Sequence, residues 1–423
     1  MDVGKLDNAS AATVDALAAR SGEGKVALVA GATGLVGREL VRALLLPSSA
    51  WKLVYGVARR PPDDDDDDER YRFLTCDLLE REETMEKLSP LAEHVTHVFW
   101  VTWASQFPLD TQECCDQNRA MLSNALDALL LPVPSPAIAH LALQTGTMHY
   151  VSINQAAAGG CHVCYEEENP RVGEEVHNFY YALEDLVKER LGGGRGRGGG
   201  RRIASWSVHR PGLLLGSSRR SHFNLMGSLC VYASICRHLS LPFRFHGLRR
   251  CWVEPYMDAS DARLVANQHL WWASVVASST SSSPSSPSSS SLSAAAADCQ
   301  AFNAVNGTAF TWKEVWPALA AKFGLPLRAD DDDELVSEET SYSRLMEDKG
   351  AAWEEIVAKE GLRPSQMDDL ANWAFLDLVF QFPAKILVSP RKARRLGFTT
   401  TYAAMESVLY WVDRMREEGL IPS

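Results

Sequence analysis

No part of the sequence approaches the ~18–20 uninterrupted apolar residues that a membrane-spanning helix needs, so no membrane span is expected. Met1–Glu23 is polar and Ala-rich, without the basic segment and apolar core of a secretory signal. Cysteine is sparse and unpatterned: nine residues, an odd number with no repeated spacing, fit reduced thiols better than a disulfide framework. Cys161-His-Val-Cys164 has the spacing of half a zinc site, but no second ligand pair stands at a suitable distance, so no metal is expected. Basic charge is also short. The net charge is −12, yet the seven acids of 63–69 and the five of 330–334 account for all of it. Such runs are usually solvated loops, so neither nucleic acid nor a membrane surface is an expected partner. Together these absences point to a globular protein of the cytoplasm.

What is present is an alternation of short apolar runs with amphipathic stretches from residue 25 onward, the pattern of a parallel sheet with crossover helices. The runs predict strands over Val26–Ala30, Leu53–Ala58, Arg72–Cys76, His97–Thr102, Ile138–Gln144 and Ser205–Val208. Helices are predicted over Leu35–Leu45, Thr111–Leu130 and Asn178–Leu191. Six strands in this order suit an α/β fold, a Rossmann-type doubly wound parallel sheet over residues 24–214, preceded by a flexible 1–23. Residues 215–423 read as a smaller, mostly helical region in which Trp312, Trp316, Trp353, Trp373 and Trp411 are packing residues. Three segments read as insertions: the acidic 61–69, the Gly/Arg tract 192–202 and the Ser/Pro stretch 278–297, whose composition cannot build a core. One short Gly/Arg copy between a helix and a strand is read as a loop rather than an RNA-binding tract.

The chemistry-bearing motif is Gly31-Ala-Thr33-Gly34-Leu35-Val36-Gly37, which follows a buried-strand run directly and opens a helical period. Gly31 permits the tight turn, Gly34 lets the backbone approach a pyrophosphate, and Gly37 allows close helix–strand packing. Phosphates would then meet the helix N-terminus, whose free N–H groups and dipole favour anions. About twenty residues further on, where an NAD site would carry a carboxylate for the ribose, the chain has Arg59 and Arg60. Two guanidiniums suit the 2′-phosphate of NADPH. Asp77, after the third strand, is the expected partner of the adenine amino group. Thr102, Gln144, Pro211 and Gly212 complete the expected cofactor contacts. His209 and His149 are read as structural.

Several segments carry a family resemblance: Val98-Phe-Trp-Val-Thr-Trp-Ala104, Gln144-Thr-Gly-Thr-Met-His-Tyr150, Asn178-Phe-Tyr-Tyr-Ala-Leu-Glu-Asp185, Trp206-Ser-Val-His-Arg-Pro-Gly212, Asn224-Leu-Met-Gly-Ser-Leu-Cys-Val-Tyr-Ala233, Phe302-Asn-Ala-Val-Asn-Gly307 and Trp353-Glu-Glu-Ile-Val357. From about residue 25 to the end the chain resembles the plant progesterone 5β-reductase/iridoid synthase family, atypical extended short-chain dehydrogenases/reductases. The resemblance implies NADPH-dependent 1,4-reduction of an enone, either a 3-oxo-Δ4-steroid or a small molecule. It also implies that Tyr180 steadies the enolate oxygen and that the C-terminal region binds the substrate. A homodimer is an assembly left open.

Two departures from the family pattern stand out. The second catalytic group of the family is a lysine in Gln-Thr-Gly-x-Lys-His-Tyr, and this chain has Met148 there. Enolate stabilisation needs a preorganised donor, which a neutral phenol can supply, so weakened activity is expected rather than loss. Glu184, at the Tyr-x-x-x-Lys position, offers no replacement. The Gly-Pro-aromatic stretch that lines the family pocket reads Val151–Gly160 here, leaving Trp103, Tyr150 and Phe223 as candidate pocket walls. Two other readings stand beside enone reduction. One is a catalytically inert NADPH-binding relative acting through ligand binding or a protein contact; the other is carbonyl reduction or alcohol oxidation, which depends more on the missing lysine.

Overall fold

The computed structural model describes residues 24–62, 68–104, 108–132, 138–152, 164–173, 175–191, 205–281, 300–327 and 335–423. The expected flexible start, residues 63–67 of the acidic run, the Gly/Arg tract, residues 282–297 of the Ser/Pro stretch, the acids 330–334 and residues 153–163 of the altered pocket segment lie outside the described residues.

Six of the strands are those the apolar runs predict: β1 (Lys25–Ala30), β2 (Trp51–Ala58), β3 (Tyr71–Thr75), β4 (His97–Trp100), β5 (His140–Gln144) and β6 (Ser205–Pro211). A seventh, Gln300–Ala304, joins β6 at the sheet edge, giving the order β3-β2-β1-β4-β5-β6 and then 300–304, every pairing parallel. The sheet therefore takes one strand from beyond residue 215. Helices α1 (Leu35–Leu44), α2 (Arg81–Leu88), α3 (Gln112–Leu130) and α4 (Phe179–Leu191) are the crossovers of its first half. The sequence pattern does not reveal α2 because only Thr84 and Leu88 are buried there, too few to show an apolar stripe.

Every residue of β1 is buried, the condition of a parallel strand covered on both faces. Successive side chains enter opposite cores: Ala27 and Val29 pack with α1 and the C-terminal helices, while Val26, Leu28 and Ala30 pack with α3 and α4. Beyond β6 the chain is mainly helical. Trp312, Trp316, Trp353, Trp373 and Trp411 are all buried there, as expected of packing residues, with Trp316 stacked on Phe243 at 4.5 Å. No helix among the described residues is long and apolar enough to cross a membrane.

A buried ionic clasp ties the two ends of the chain together. The Glu418 carboxylate accepts from Arg38 at 2.9 Å, Arg42 at 3.1 Å and the Ser217 hydroxyl at 2.7 Å. Burial pushes this carboxyl upward, but Arg38, Ser217 and Arg42 overcome that and hold it down at about 2. Because the folded value lies below the ordinary 4.5, the clasp stabilises the fold above that pH and loses its contribution as pH falls toward 2. Glu418→Gln is expected to cost about 3 kcal/mol at neutral pH, because it removes the carboxylate partner of Arg38, whereas Arg42 keeps Glu39. It should also flatten the acid limb of stability; urea melts across pH measure both.

Candidate active site

The sheet order reverses between β1 and β4, and ligands of open α/β sheets bind in the crevice at such a point. A cavity of about 610 Å³ opens there along the carboxyl ends of the strands. The loop after β1 forms its floor. Gly31 adopts φ +93°, its N–H donates to Val57 O at 2.8 Å, and a Cβ on it would stand 2.9 Å from Thr102. A Cβ on Gly37 would lie 2.0 Å from Gly31 O. Helix α1 thus touches the turn backbone to backbone, which brings its N-terminus over the cavity. That helix starts at Gly34 with no side-chain cap and no acid in its first turn, an arrangement that leaves positive potential facing outward.

The bond from Gly31 to Val57 also draws the end of β2 alongside the glycine loop. Arg59 and Arg60 follow it, both exposed at the cavity wall, and neither pairs with a described residue. Asp77 lines the same end, its Oδ1 accepting from Leu79 N at 3.1 Å. Thr33, Gly34, Leu35, Val36, Thr102, Gln144, Pro211 and Gly212 also line the cavity, whereas Gly37 acts from beneath it.

Tyr180 projects from the first turn of α4. A Cβ on Gly146 would lie 2.6 Å from its hydroxyl, so the phenol stands against bare backbone, and no described residue hydrogen-bonds it. Asn178 fixes this placement: its Oδ1 accepts from Tyr180 N at 3.0 Å while its Nδ2 donates to Met148 O at 2.9 Å. Burial, reinforced by the Cys114 thiol, raises the Tyr180 phenol well above its ordinary value, so the group is a neutral donor. Met148 lines the cavity and packs against the apolar cluster that includes Tyr150, Phe382 and Ile386. Trp103 lies between Phe179, stacked at 5.6 Å, and Phe223, stacked at 4.7 Å; Phe223 in turn meets Phe375 at 4.7 Å.

One expected wall residue is not a wall. Tyr150 is buried behind the site, donating to Asn303 Oδ1 at 2.7 Å, accepting from Arg210 at 3.1 Å and stacked on Tyr165 at 5.1 Å. Arg210 draws it inward, because that guanidinium also pairs with the buried Glu184 at 3.2 Å. Burial alone would raise the Glu184 carboxyl; His149, Arg210 and Arg171 reverse this and hold it at about 2. Glu184 is therefore an anion spent on its partners. His149 is buried in the same network, and His209 is fully buried between Ser207 and Gln268, away from the cavity.

Sequence reasoning missed several cavity residues. Thr145 presents a buried hydroxyl with no hydrogen-bond partner among the described residues. Ser221 accepts from Leu35 N at 3.1 Å, and Arg219 and Arg220, which precede it, line the cavity. They lie far along the chain from the Gly31–Gly34 loop, in a Ser/Arg segment without a recognisable motif, so only the fold brings them there.

Residues 27–380 match the PRISE-like Rossmann-fold domain. The chain is 36% identical over 403 residues to the (S)-8-oxocitronellyl enol synthase CYC2 of Camptotheca acuminata, covering 94% of this chain and 93% of that one. It is 34% identical to the 3-oxo-Delta(4,5)-steroid 5-beta-reductase of Arabidopsis thaliana, again covering 94% and 93%. Among solved structures, UDP-glucose 4-epimerase of Thermus thermophilus, determined with NAD, aligns with a TM-score of 0.55 at 16% identity, over 92% of this chain and 99% of that one. The epimerase Mth375 of Methanothermobacter thermautotrophicus gives 0.58 at 12%, over 96% of each.

The contact between Gly37 and Gly31 makes a prediction of unusual sign. Alanine for glycine inside a helix ordinarily stabilises by about 1 kcal/mol. Here the added methyl meets a backbone oxygen, so Gly37→Ala should lower the melting temperature and disorder the loop. A melting temperature equal to or above wild type would show that α1 does not depend on this approach.

Proposed function

The chain is a member of the PRISE-like Rossmann-fold family, and we propose that it uses NADPH to reduce the carbon–carbon double bond of an enone, with Tyr180 holding the enolate oxygen. The observation that carries this reading is the Tyr180 hydroxyl itself, a neutral phenol set against Gly146 on the cavity wall with no described residue to satisfy it. The relatives' names, a steroid 5-beta-reductase and enol synthases, support the same chemistry.

The residues present suit the cofactor. Gly31 and Gly34 keep side chains off the floor, the start of α1 faces the place for a pyrophosphate with no side chain at its Gly34 cap, and Arg59 and Arg60 offer forked donors to a 2′-phosphate. Bound NADPH would supply the hydride. The chain's own part is to orient the substrate carbonyl at Tyr180, donate a hydrogen bond to the oxygen as charge develops on it, and keep water out. Trp103, Phe223, Phe375, Leu378 and Phe382 surround that end with apolar surface, which favours a hydrophobic enone. Most of these lie beyond residue 215, the basis for giving the C-terminal region the substrate side.

Met148 favours a second reading. Without the lysine that the resemblance expects, the chain could hold cofactor and ligand without turnover. Mixing the protein with NADPH and 2-cyclohexen-1-one separates the two. Enone reduction predicts NADPH oxidation that Tyr180→Phe lowers by about tenfold or more, the loss typical of one oxyanion donor. Normal NADPH binding with no turnover across a panel of enones would leave the inert reading.

The protonation state adds a second test. A phenol raised above its ordinary value stays protonated through the neutral and mildly alkaline range, so the rate should be flat from about pH 6 to 9. Met148→Lys should raise the rate and bring an alkaline inflection to lower pH, because an ammonium favours phenolate. An unchanged pH profile would mean that position 148 does not address the phenol.

Cofactor choice is tested separately. Arg59→Ala with Arg60→Ala should weaken NADPH by about tenfold or more, the scale of charged hydrogen bonds, and spare NADH. Equal losses for both would refute recognition of the 2′-phosphate.

A further inference from the structure

The segment after β6 crosses back over the glycine loop and is bonded to it at both ends. Ser218 Oγ donates to Thr33 O at 2.9 Å, and Ser221 Oγ accepts from Leu35 N at 3.1 Å. The segment is braced from behind as well. Ser217 O accepts from Arg38 at 2.9 Å, Asn224 Nδ2 donates to Ser218 O at 2.7 Å, and Arg220 N donates to Ser218 Oγ at 2.9 Å. Between these ties Arg219 and Arg220 line the cavity. They are therefore presented beside the first turn of α1, and Ser221 already engages one of the N–H groups that an anion there would seek. Arg59 and Arg60 enter the same cavity from the end of β2, so the wall carries two separate arginine pairs. An NADPH molecule carries two separate centres of negative charge, its 2′-phosphate and its diphosphate.

We propose that Arg219 and Arg220 form a second cationic clamp that grips the dinucleotide's diphosphate beside the glycine loop; this rests on the dinucleotide-binding reading above. The clamp is indifferent to the 2′-phosphate, so it adds affinity for NADPH and NADH alike and leaves their discrimination to Arg59 and Arg60. Its backbone continues into Phe223, which stacks on Trp103 in the substrate wall, so the segment that seats the diphosphate also shapes the substrate end. Asp368 and Asp369 line the same cavity and Arg219 donates to Pro364 O, so a latch in which the arginines serve only this segment is the competing arrangement.

Calorimetric titration of the full chain with NADPH, NADH, ADP-ribose and 2′-AMP decides between them. Arg219→Gln with Arg220→Gln should weaken NADPH, NADH and ADP-ribose by a common factor of about tenfold or more, the scale of charged hydrogen bonds, and leave 2′-AMP unchanged. The double lysine variant keeps the charge and should retain most of the affinity, which guards against a loss caused by misfolding. Unchanged affinities in the glutamine variant overturn the clamp and leave the latch. Losses confined to NADPH and 2′-AMP also overturn it, by moving these arginines to the 2′-phosphate. Failure of the wild-type chain to bind any of the four would remove the dinucleotide reading and the clamp with it; normal wild-type binding with an unaffected variant removes the clamp alone.

Discussion

The carbonyl oxygen of Gly31 occupies the space that a side chain at position 37 would need, and much of the molecule's architecture follows from that contact. With α1 pressed onto the turn, its N-terminus stands over the strand ends rather than beside them. Gly31 and Ala32 can then both donate to Val57 O, which aligns the end of β2 with the loop. Arg38 and Arg42, one turn and two turns along the same helix, reach Glu418 and hold the last helix of the chain. One close approach of backbone therefore sets the cavity floor, the position of the arginines on its rim and the attachment of the C-terminal region.

The opposite end of the cavity is governed by desolvation. Arg210, Glu184 and Arg171 form a charged network on α4, with the buried His149 beside it, yet none of these charges acts on Tyr180, whose phenol is shifted by burial and by a neighbouring thiol. Charge is confined to one side of the helix and the neutral donor to the other. That separation is the physical content of having Met148 where a cation is expected. On the proposed function, the site offers a hydrogen bond and lacks the group that would help the phenol lose its proton.

The order of the strands and the helices that cover them could be read because a parallel sheet buries both faces and writes continuous apolar runs, as Val26–Ala30 does. The glycine loop, Arg59 and Arg60 could be read because strand, turn and helix N-terminus are consecutive in sequence. Thr145 and the pair Arg219 and Arg220 could not, since nothing local marks a threonine or arginine as facing a cavity. Tyr150 misled for a related reason: an aromatic beside a site motif looks like a pocket wall until Arg210 and Asn303, remote in sequence, are seen to bond its hydroxyl. The strand Gln300–Ala304 was invisible because it follows the Ser/Pro stretch and shows no run of apolar residues.

That strand has a consequence for how the molecule holds together. Gln300–Ala304 pairs with Ser207–Pro211 along the length of β6, and Phe302 packs against Trp271 and Trp272 on the helix Ala262–Ser281. Chain cut after residue 214 would leave β6 with a bare row of N–H and C=O groups and a stripped apolar face, the conditions for strand-to-strand aggregation. The half that carries β1–β6 is thus not a detachable module. It is finished by a strand that arrives long after β6 ends, so its sheet is complete only with chain from beyond residue 215.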